Sequence, residues 1–377
     1  MPTIDSETLY RSLQQHLDRM YVAFPAAPSG VEIRILKQLF TPEEAEIALE
    51  LSAIPEPAAT IHRRFGSRIG LEELRGKLEQ MAAKGVILSY PLDGEVRFGK
   101  MAFAVGIYER QLKSLTPQFE RDSRQYFEEA FGRALFTGKT PQLRVVPVNK
   151  RIAVEREVAT YDSIRTYIET SPGPFGTLHC ICRHGHDLLG EPCRQTELRD
   201  NCLVIGQAAA WAVDSGNGHA VTREQMLDLL DQADRDGLVL QPENTKAPIF
   251  VCCCCTCCCG VLRAAKRFPR PASFFSSNFY AVADAEACEA CGVCETRCQM
   301  EAIATPEGKA VVDRARCIGC ALCIGACPSG ALRLQAVDRP KVPPDDTKAL
   351  YRKLLEDRFG RWGMAKLGAR KLLGMKI

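Results

Sequence analysis

The sequence predicts an α+β chain of several domains, and three observations predict it. Helical periodicity gives way to a hairpin signal within the first 110 residues, eleven cysteines gather between Cys180 and Cys259, and eight more form a duplicated run from Cys288 to Cys327. At 377 residues the chain is long enough for two or three compact cores. Its 46% apolar and 25% charged content is that of an ordinary globular protein. A formal charge of +3 is too small to mark a nucleic-acid binder by its overall field.

The first element with a clear start is at Thr41-Pro42-Glu43-Glu44, a capping box with proline at the first helical position, which predicts a helix to about Leu51. A short helix is expected over Ala58 to Phe65, and a third from Gly70 to Lys84 with Leu71, Leu74, Leu78 and Met81 on one face. Val86 to Tyr90 and Glu95 to Phe98 then pair around Asp93-Gly94, a hairpin turn signal. Helix, helix, helix, hairpin over Gly30 to Arg110 reads as a winged helix within an N-terminal domain of residues 1–110. That analogy suggests DNA binding. The charges oppose it, with eleven bases against twelve acids from Val31 to Arg110, a net of −1. A protein-docking or dimerisation role is therefore preferred, with DNA as the disfavoured alternative.

Residues 111–150 are expected to connect this domain to the rest. A helix from Pro117 to Phe136 carries Phe119, Tyr126, Phe127 and Phe131, an aromatic stripe read as core.

The middle domain, residues 151–265, holds Cys180, Cys182, Cys193 and Cys202 as C-x-C-x10-C-x8-C, enough thiols for one four-thiolate metal site. Then comes Cys252 to Cys259, interrupted only by Thr256. Alternate residues of a strand face opposite ways, so neighbouring cysteines serve one metal from a bent loop or separate sites on either side. Cys252, Cys254, Cys255, Cys257, Cys258 and Cys259 are candidate ligands, with no finer assignment. The preferred occupant is an additional iron–sulfur cluster; structural zinc and buried free thiols are the alternatives. His179, His184 and His186 lie close by and are read as surface or capping residues. A capping box at Thr222-x-x-Gln225 opens a scaffold helix to about Arg235, followed by a strand at Leu238 to Leu240.

This middle segment, Tyr161 to Leu262, resembles a module found beside ferredoxin domains in anaerobic bacteria and archaea. Cys180, Cys182, Arg183, Gly190, Pro192, Cys193 and Cys202 match its C-x-C-R, G-x-P-C and further cysteine. Cys252, Cys254, Cys255, Cys257, Cys258 and Cys259 match its C-x-C-C-x-C-C-C, leaving Cys253 additional. The resemblance implies metal and redox chemistry without a substrate.

In residues 266–340 each run reads C-x2-C-x2-C-x3-C, and every cysteine of the first recurs 29 residues later. Two-residue spacers let a tight loop wrap three corners of a cubane, and in this arrangement the fourth cysteine of each run ligates the other cluster. One [4Fe-4S] cluster is thus expected on Cys288, Cys291, Cys294 and Cys327, and another on Cys317, Cys320, Cys323 and Cys298. Paired zinc sites are the weaker alternative. Residues from about 280 to 336 resemble a bacterial-type ferredoxin with two [4Fe-4S] clusters. That implies a small α+β domain of pseudo-two-fold symmetry that shuttles electrons between redox partner proteins. The sequence departs from the family at Gln299, where proline is usual after the fourth cysteine, as in Cys327-Pro328.

The tail, 341–377, begins within a proline-rich linker. From Thr347 onward it has nine bases and two acids, a net of +7, with Leu350, Leu354, Leu355 and Phe359 at helical spacing. It is expected to touch an anionic membrane surface, to dock on an acidic redox partner, or to pack on the ferredoxin-like domain.

No stretch reaches the roughly 18 consecutive apolar residues of a membrane helix, and Met1 to Leu9 lacks a basic region followed by an apolar run, so the expected location is cytoplasmic with no transmembrane segment. Reduced thiols and exposed clusters suit an oxygen-poor cell. The leading expectation is a single-electron carrier or redox subunit. A redox-sensing winged-helix transcriptional regulator and the iron–sulfur subunit of an anaerobic reductase are the alternatives.

Overall fold

The structure is a computed structural model and describes residues 5–148, 160–372 and 375–376. The boundary expected at residue 150/151 lies outside the described residues. The chain forms two compact units, Met1–Lys139 with Leu354–Ile377, and Thr140–Lys353.

In the first unit, helices Ser6–Leu17, Val31–Leu39, Pro42–Leu49, Ala58–His62 and Leu71–Ala83 precede a hairpin. The capping box forms as the sequence requires, with Thr41 Oγ1 accepting from Glu44 N at 3.2 Å and Glu44 Oε2 accepting from Thr41 N at 2.8 Å. The second expected helix is shorter than its pattern, because the chain leaves the α conformation into a tight turn at Gly66–Arg68. Strands β2 (Leu88–Leu92) and β3 (Glu95–Gly99) pair antiparallel, with β1 (Glu56–Pro57) added on β3. The turn places both Asp93 and Gly94 at positive φ, the geometry that Asp-Gly accommodates.

The aromatic stripe is core, as expected. Helix Pro117–Tyr126 runs on through a wider turn, Phe127–Phe131, rather than as one regular helix. Tyr126 and Phe131 are fully buried, and the Phe103 ring meets them edge-on at 5.5 and 5.2 Å. An ion pair of 2.9 Å from Arg34 to Asp122 ties this helix to Val31–Leu39. The segment from Leu354 onward groups with this unit, not with the cysteine repeat. Arg358 donates to the Asp18 carbonyl, and Lys376 Nζ reaches Leu49 O at 2.9 Å and Glu50 Oε1 at 3.2 Å. No described helix is long and apolar enough to cross a membrane.

The second unit is built on a five-stranded antiparallel sheet of order β6-β4-β5-β8-β7, from β4 (Phe175–Leu178), β5 (Cys202–Ile205), β6 (Gly218–Val221), β7 (Val239–Pro242) and β8 (Phe250–Cys254). Its register sets Cys202 opposite Cys252, and Val239, Leu240 and Gln241 opposite Cys254, Cys253 and Cys252. Helix Arg223–Arg235 starts at the expected Thr222 capping box and packs Met226, Leu230 and Ala233 into the core.

Two small ribbons complete the unit: β9 (Phe279–Ala283) with β12 (Leu332–Ala336), and β10 (Ile303–Ala304) with β11 (Val311–Val312). Short helices Val293–Arg297 and Leu322–Gly325 begin 29 residues apart, the offset of the cysteine repeat. Positive φ recurs at the same offset, at Ala290 and Gly319, Gly292 and Ala321, and Glu301 and Gly330. The backbone therefore repeats as the sequence does. Gly319 is required on its own account, since a Cβ there would run into the Phe279 carbonyl and Ser277 Oγ.

Candidate metal centres

The left-handed residues Ala290, Gly292, Gly319 and Ala321 turn the chain sharply between ligand positions, and the short helix that follows carries the third cysteine of each run, Cys294 and Cys323. A cavity between the halves is lined by Cys317, Cys320 and Cys323 of the second run together with Cys298 of the first. Electrostatic effects among the thiols follow this grouping except that Cys294 also acts on Cys323. Cys298 acts on Cys317, Cys320 and Cys323, while Cys327 acts on Cys288 and Cys294.

Backbone N–H groups point at these sulfurs. Ala302 N donates to Cys298 at 3.2 Å, Ala281 N to Cys317 at 3.3 Å and Ala310 N to Cys288 at 3.4 Å. Ala281 and Ala310 are themselves 29 residues apart, and each donates into the other half. Such donors stabilise negative sulfur and tune cluster potential, so these residues fit cubanes. The halves differ in exposure. Cys291 is exposed, whereas its counterpart Cys320 is half-buried and burial pushes its thiol up to about 12; Cys294 and Cys323 are both buried. At Cys288 the N–H groups of Ala290 and Ala310 hold the thiol below its usual range.

In the middle module, Cys193, Cys255, Cys257 and Cys258 bring their sulfurs within 4.8 Å of one another. The separations are 3.7 Å for Cys193–Cys255 and Cys193–Cys257, 3.3 Å for Cys255–Cys257 and 3.6 Å for Cys257–Cys258. Four thiolates at about 2.3 Å from one tetrahedral ion stand about 3.8 Å apart. A cubane inserts an iron corner behind each thiolate and spreads them to roughly 6 Å. The quartet therefore has the dimensions of a site for a single ion, and S4 tetrahedral ligation suits zinc or iron. Among the described residues no other set of three or more potential ligands is so contracted, and the eight cysteines of the repeat are not.

The four cysteines of C-x-C-x10-C-x8-C do not stay together. Cys193 joins the later run, while Cys180 and Cys182 lie at the start of helix Ile181–Leu188 and Cys202 on β5. Cys253 is buried in the core cluster that also holds Cys193, Cys255 and Cys258, and is not one of the contracted quartet. The histidines stand outside the quartet. His179 pairs with Asp200 at 2.8 Å, and His186 Nδ1 is bonded to the Glu191 carbonyl at 3.2 Å.

Two residues that carry the site were not singled out as site residues. Arg183 is 1% exposed and donates to Asn201 Oδ1 at 2.7 Å, the Cys253 carbonyl at 3.0 Å and Cys255 Sγ at 3.5 Å. Burial opposes its charge, but the thiols of Cys180 and Cys255 outweigh that and push its pKa up. A buried cation facing sulfur favours thiolate, the form that binds metal. Its signal was the arginine of C-x-C-R. Gln299 is the other. Its Oε1 accepts from Thr256 N at 2.9 Å and Thr256 Oγ1 at 2.8 Å, and its Nε2 donates to the Gly237 carbonyl at 3.1 Å. Thr256 lies inside the ion quartet's loop and Gln299 follows Cys298, so one side chain joins the two cysteine systems.

A family model described as a 4Fe-4S binding domain matches residues 310–333, which contain Cys317, Cys320, Cys323 and Cys327. No curated protein and no solved structure matches the chain. The chain is an iron–sulfur protein in this segment, with a further cysteine group able to hold a metal ion.

Proposed function

We propose that the chain relays single electrons through two [4Fe-4S] clusters, one on Cys288, Cys291, Cys294 and Cys327 and the other on Cys317, Cys320, Cys323 and Cys298. The observation that carries this reading is the cavity lined by Cys298 together with three thiols of the opposite run. Clusters so ligated supply one-electron chemistry at potentials set by burial and N–H donors. Cys291 gives the outer site an exposed edge for a redox partner, while Gln299 leads from the inner site to the Cys193 quartet. Cys291 faces water while its counterpart Cys320 is only partly exposed, an asymmetry suited to separating entry from exit.

The first unit serves as a winged-helix-like docking domain in a cytoplasmic, anaerobic setting. Ion pairs support docking over DNA binding, because Lys77 and Lys84 are engaged by Glu43 and Glu44 at 2.7 and 2.8 Å, and Arg75 lies 3.7 Å from Glu72. Phosphate would have to displace those carboxylates.

The test is iron and acid-labile sulfide in anaerobically purified protein, with electron paramagnetic resonance of Cys298→Ser. Two cubanes require about eight of each per chain. The substitution is expected to perturb the signal of the second-run cluster. Loss of the first-run signal alone would overturn the crossed ligation.

A further inference from the structure

The quartet and the repeat use twelve of the nineteen cysteines, and the seven left over are not scattered. Strand alternation sends Cys252 and Cys254 to one face of β8 and Cys253 to the other. On the Cys252 face the sheet register brings Cys202 alongside. Cys259 caps helix Gly260–Lys266, and Cys180 caps helix Ile181–Leu188 with Cys182 in its first turn. These six thiols are successive electrostatic neighbours, Cys202 to Cys252, Cys254, Cys259, Cys182 and Cys180, and Arg183, next to Cys182, donates to the Cys253 carbonyl at 3.0 Å, which sets the start of helix Ile181–Leu188 against the end of β8.

From this arrangement we infer that the middle module holds a second, separate centre, a polynuclear iron–sulfur cluster capped by Cys180, Cys182, Cys254 and Cys259, with Cys202 and Cys252 flanking it. This rests on the reading of the chain as an iron–sulfur protein.

Three features carry it. Six connected thiols exceed the four positions of one tetrahedral ion. No three of them contract to the spacing of the Cys193 quartet, as they would around a single ion, whereas a cluster keeps its thiolates apart. The surroundings are also built for negative sulfur. Gln241, fully buried on β7, donates from Nε2 to Cys259 Sγ at 3.7 Å, and its Oε1 has no partner. Arg183 stands between the two centres, facing Cys180 and Cys254 on one side and Cys255 on the other, with no carboxylate bonded to it among the described residues.

The test compares full-length wild type with Cys254→Ser, Cys180→Ser and Cys257→Ser, all purified anaerobically and assayed for iron, zinc, sulfide and cluster spectra. Wild type is expected to hold about twelve sulfides per chain, four beyond the repeat. Cys254→Ser and Cys180→Ser should each lose about four iron and four sulfide while keeping the single ion and both ferredoxin-like signals. Cys257→Ser should do the reverse, losing the ion and no sulfide. Cys180 lies at a half-buried helix cap, so its variant serves if Cys254→Ser does not fold. A wild type with only eight sulfides overturns this inference and leaves the electron-relay reading standing, whereas one with no sulfide overturns both. Zinc bound by the six thiols also overturns it.

Discussion

In the repeat, thiols three or four residues apart in sequence remain spread in space, while in the middle module Cys193 and Cys255, 62 residues apart, meet at 3.7 Å. The same side chain thus builds two kinds of cavity. Left-handed turns at Ala290, Gly292, Gly319 and Ala321 swing the backbone around an enclosed volume and aim N–H groups inward. In the middle module a strand end and a sharp loop at Thr256 fold thiols directly against one another. Ligand spacing along the chain therefore predicts cluster size only where a loop wraps the site. Where strands and helix caps bring the ligands together, tertiary structure decides.

The largest expected effect breaks the contracted side of this comparison. Cys257→Ser should cost one metal ion per chain and, because a structural thiolate site contributes folding free energy, several kcal/mol of stability. Metal analysis and thermal unfolding check it, and the resonance signals of the repeat should persist. Cys253→Ala is the matching control. Cys253 is buried in the same core cluster as the quartet but is not one of its four contracted thiols, so the variant should keep every metal and lose roughly 1–2 kcal/mol as a small cavity. Metal loss from Cys253→Ala would mean that Cys253 is itself a ligand.

A smaller effect is expected at the join. Gln299→Ala removes two hydrogen bonds to Thr256 and one to the Gly237 carbonyl. Those buried partners make a loss of about 1–3 kcal/mol the expected scale. Both clusters of the repeat should form, while electron exchange between the repeat and the middle module slows in rapid-mixing experiments. Gln299→Pro, which restores the residue usual in the ferredoxin family, should behave like the alanine variant. Unchanged exchange in both would remove Gln299 from the path.

Much of this architecture was legible in the sequence for reasons that are local. The Thr41 and Thr222 capping boxes, the Asp93-Gly94 turn and the 29-residue repeat are short-range signals, and each appears where expected. The partition of the middle cysteines was not legible. Cys193 resembles a partner of Cys180 and Cys182 by proximity in sequence, but helix Ile181–Leu188 and the sheet carry them to different places. Gln299 was visible as a departure from a proline, yet its bond to Thr256 joins residues 43 apart. The tail's apolar stripe left several docking faces open, and the contacts of Arg358 and Lys376 with Asp18, Leu49 and Glu50 select the first unit.

A pH-dependent effect, confined to one side chain, tests whether the sheet of the middle module can be weakened without touching the repeat. Glu243 follows β7, is fully buried, and burial raises its carboxyl to about 7 despite hydrogen bonds from Thr347 and Thr245. An unfolded glutamate titrates near 4.3, so the folded state holds this proton over a window in which the unfolded chain releases it. The resulting stability is full below about 4 and is lost as pH rises through 7, reaching on the order of 3 kcal/mol. Glu243→Gln keeps an amide in the same space without the proton. Its unfolding free energy should fall less than that of wild type between pH 5.5 and 8, and hydrogen exchange should locate the difference in β7 and β8 rather than β9 and β12. Parallel pH profiles for the two proteins would show that Glu243 is ionised in the folded state, and that the middle sheet has no such titrating weakness.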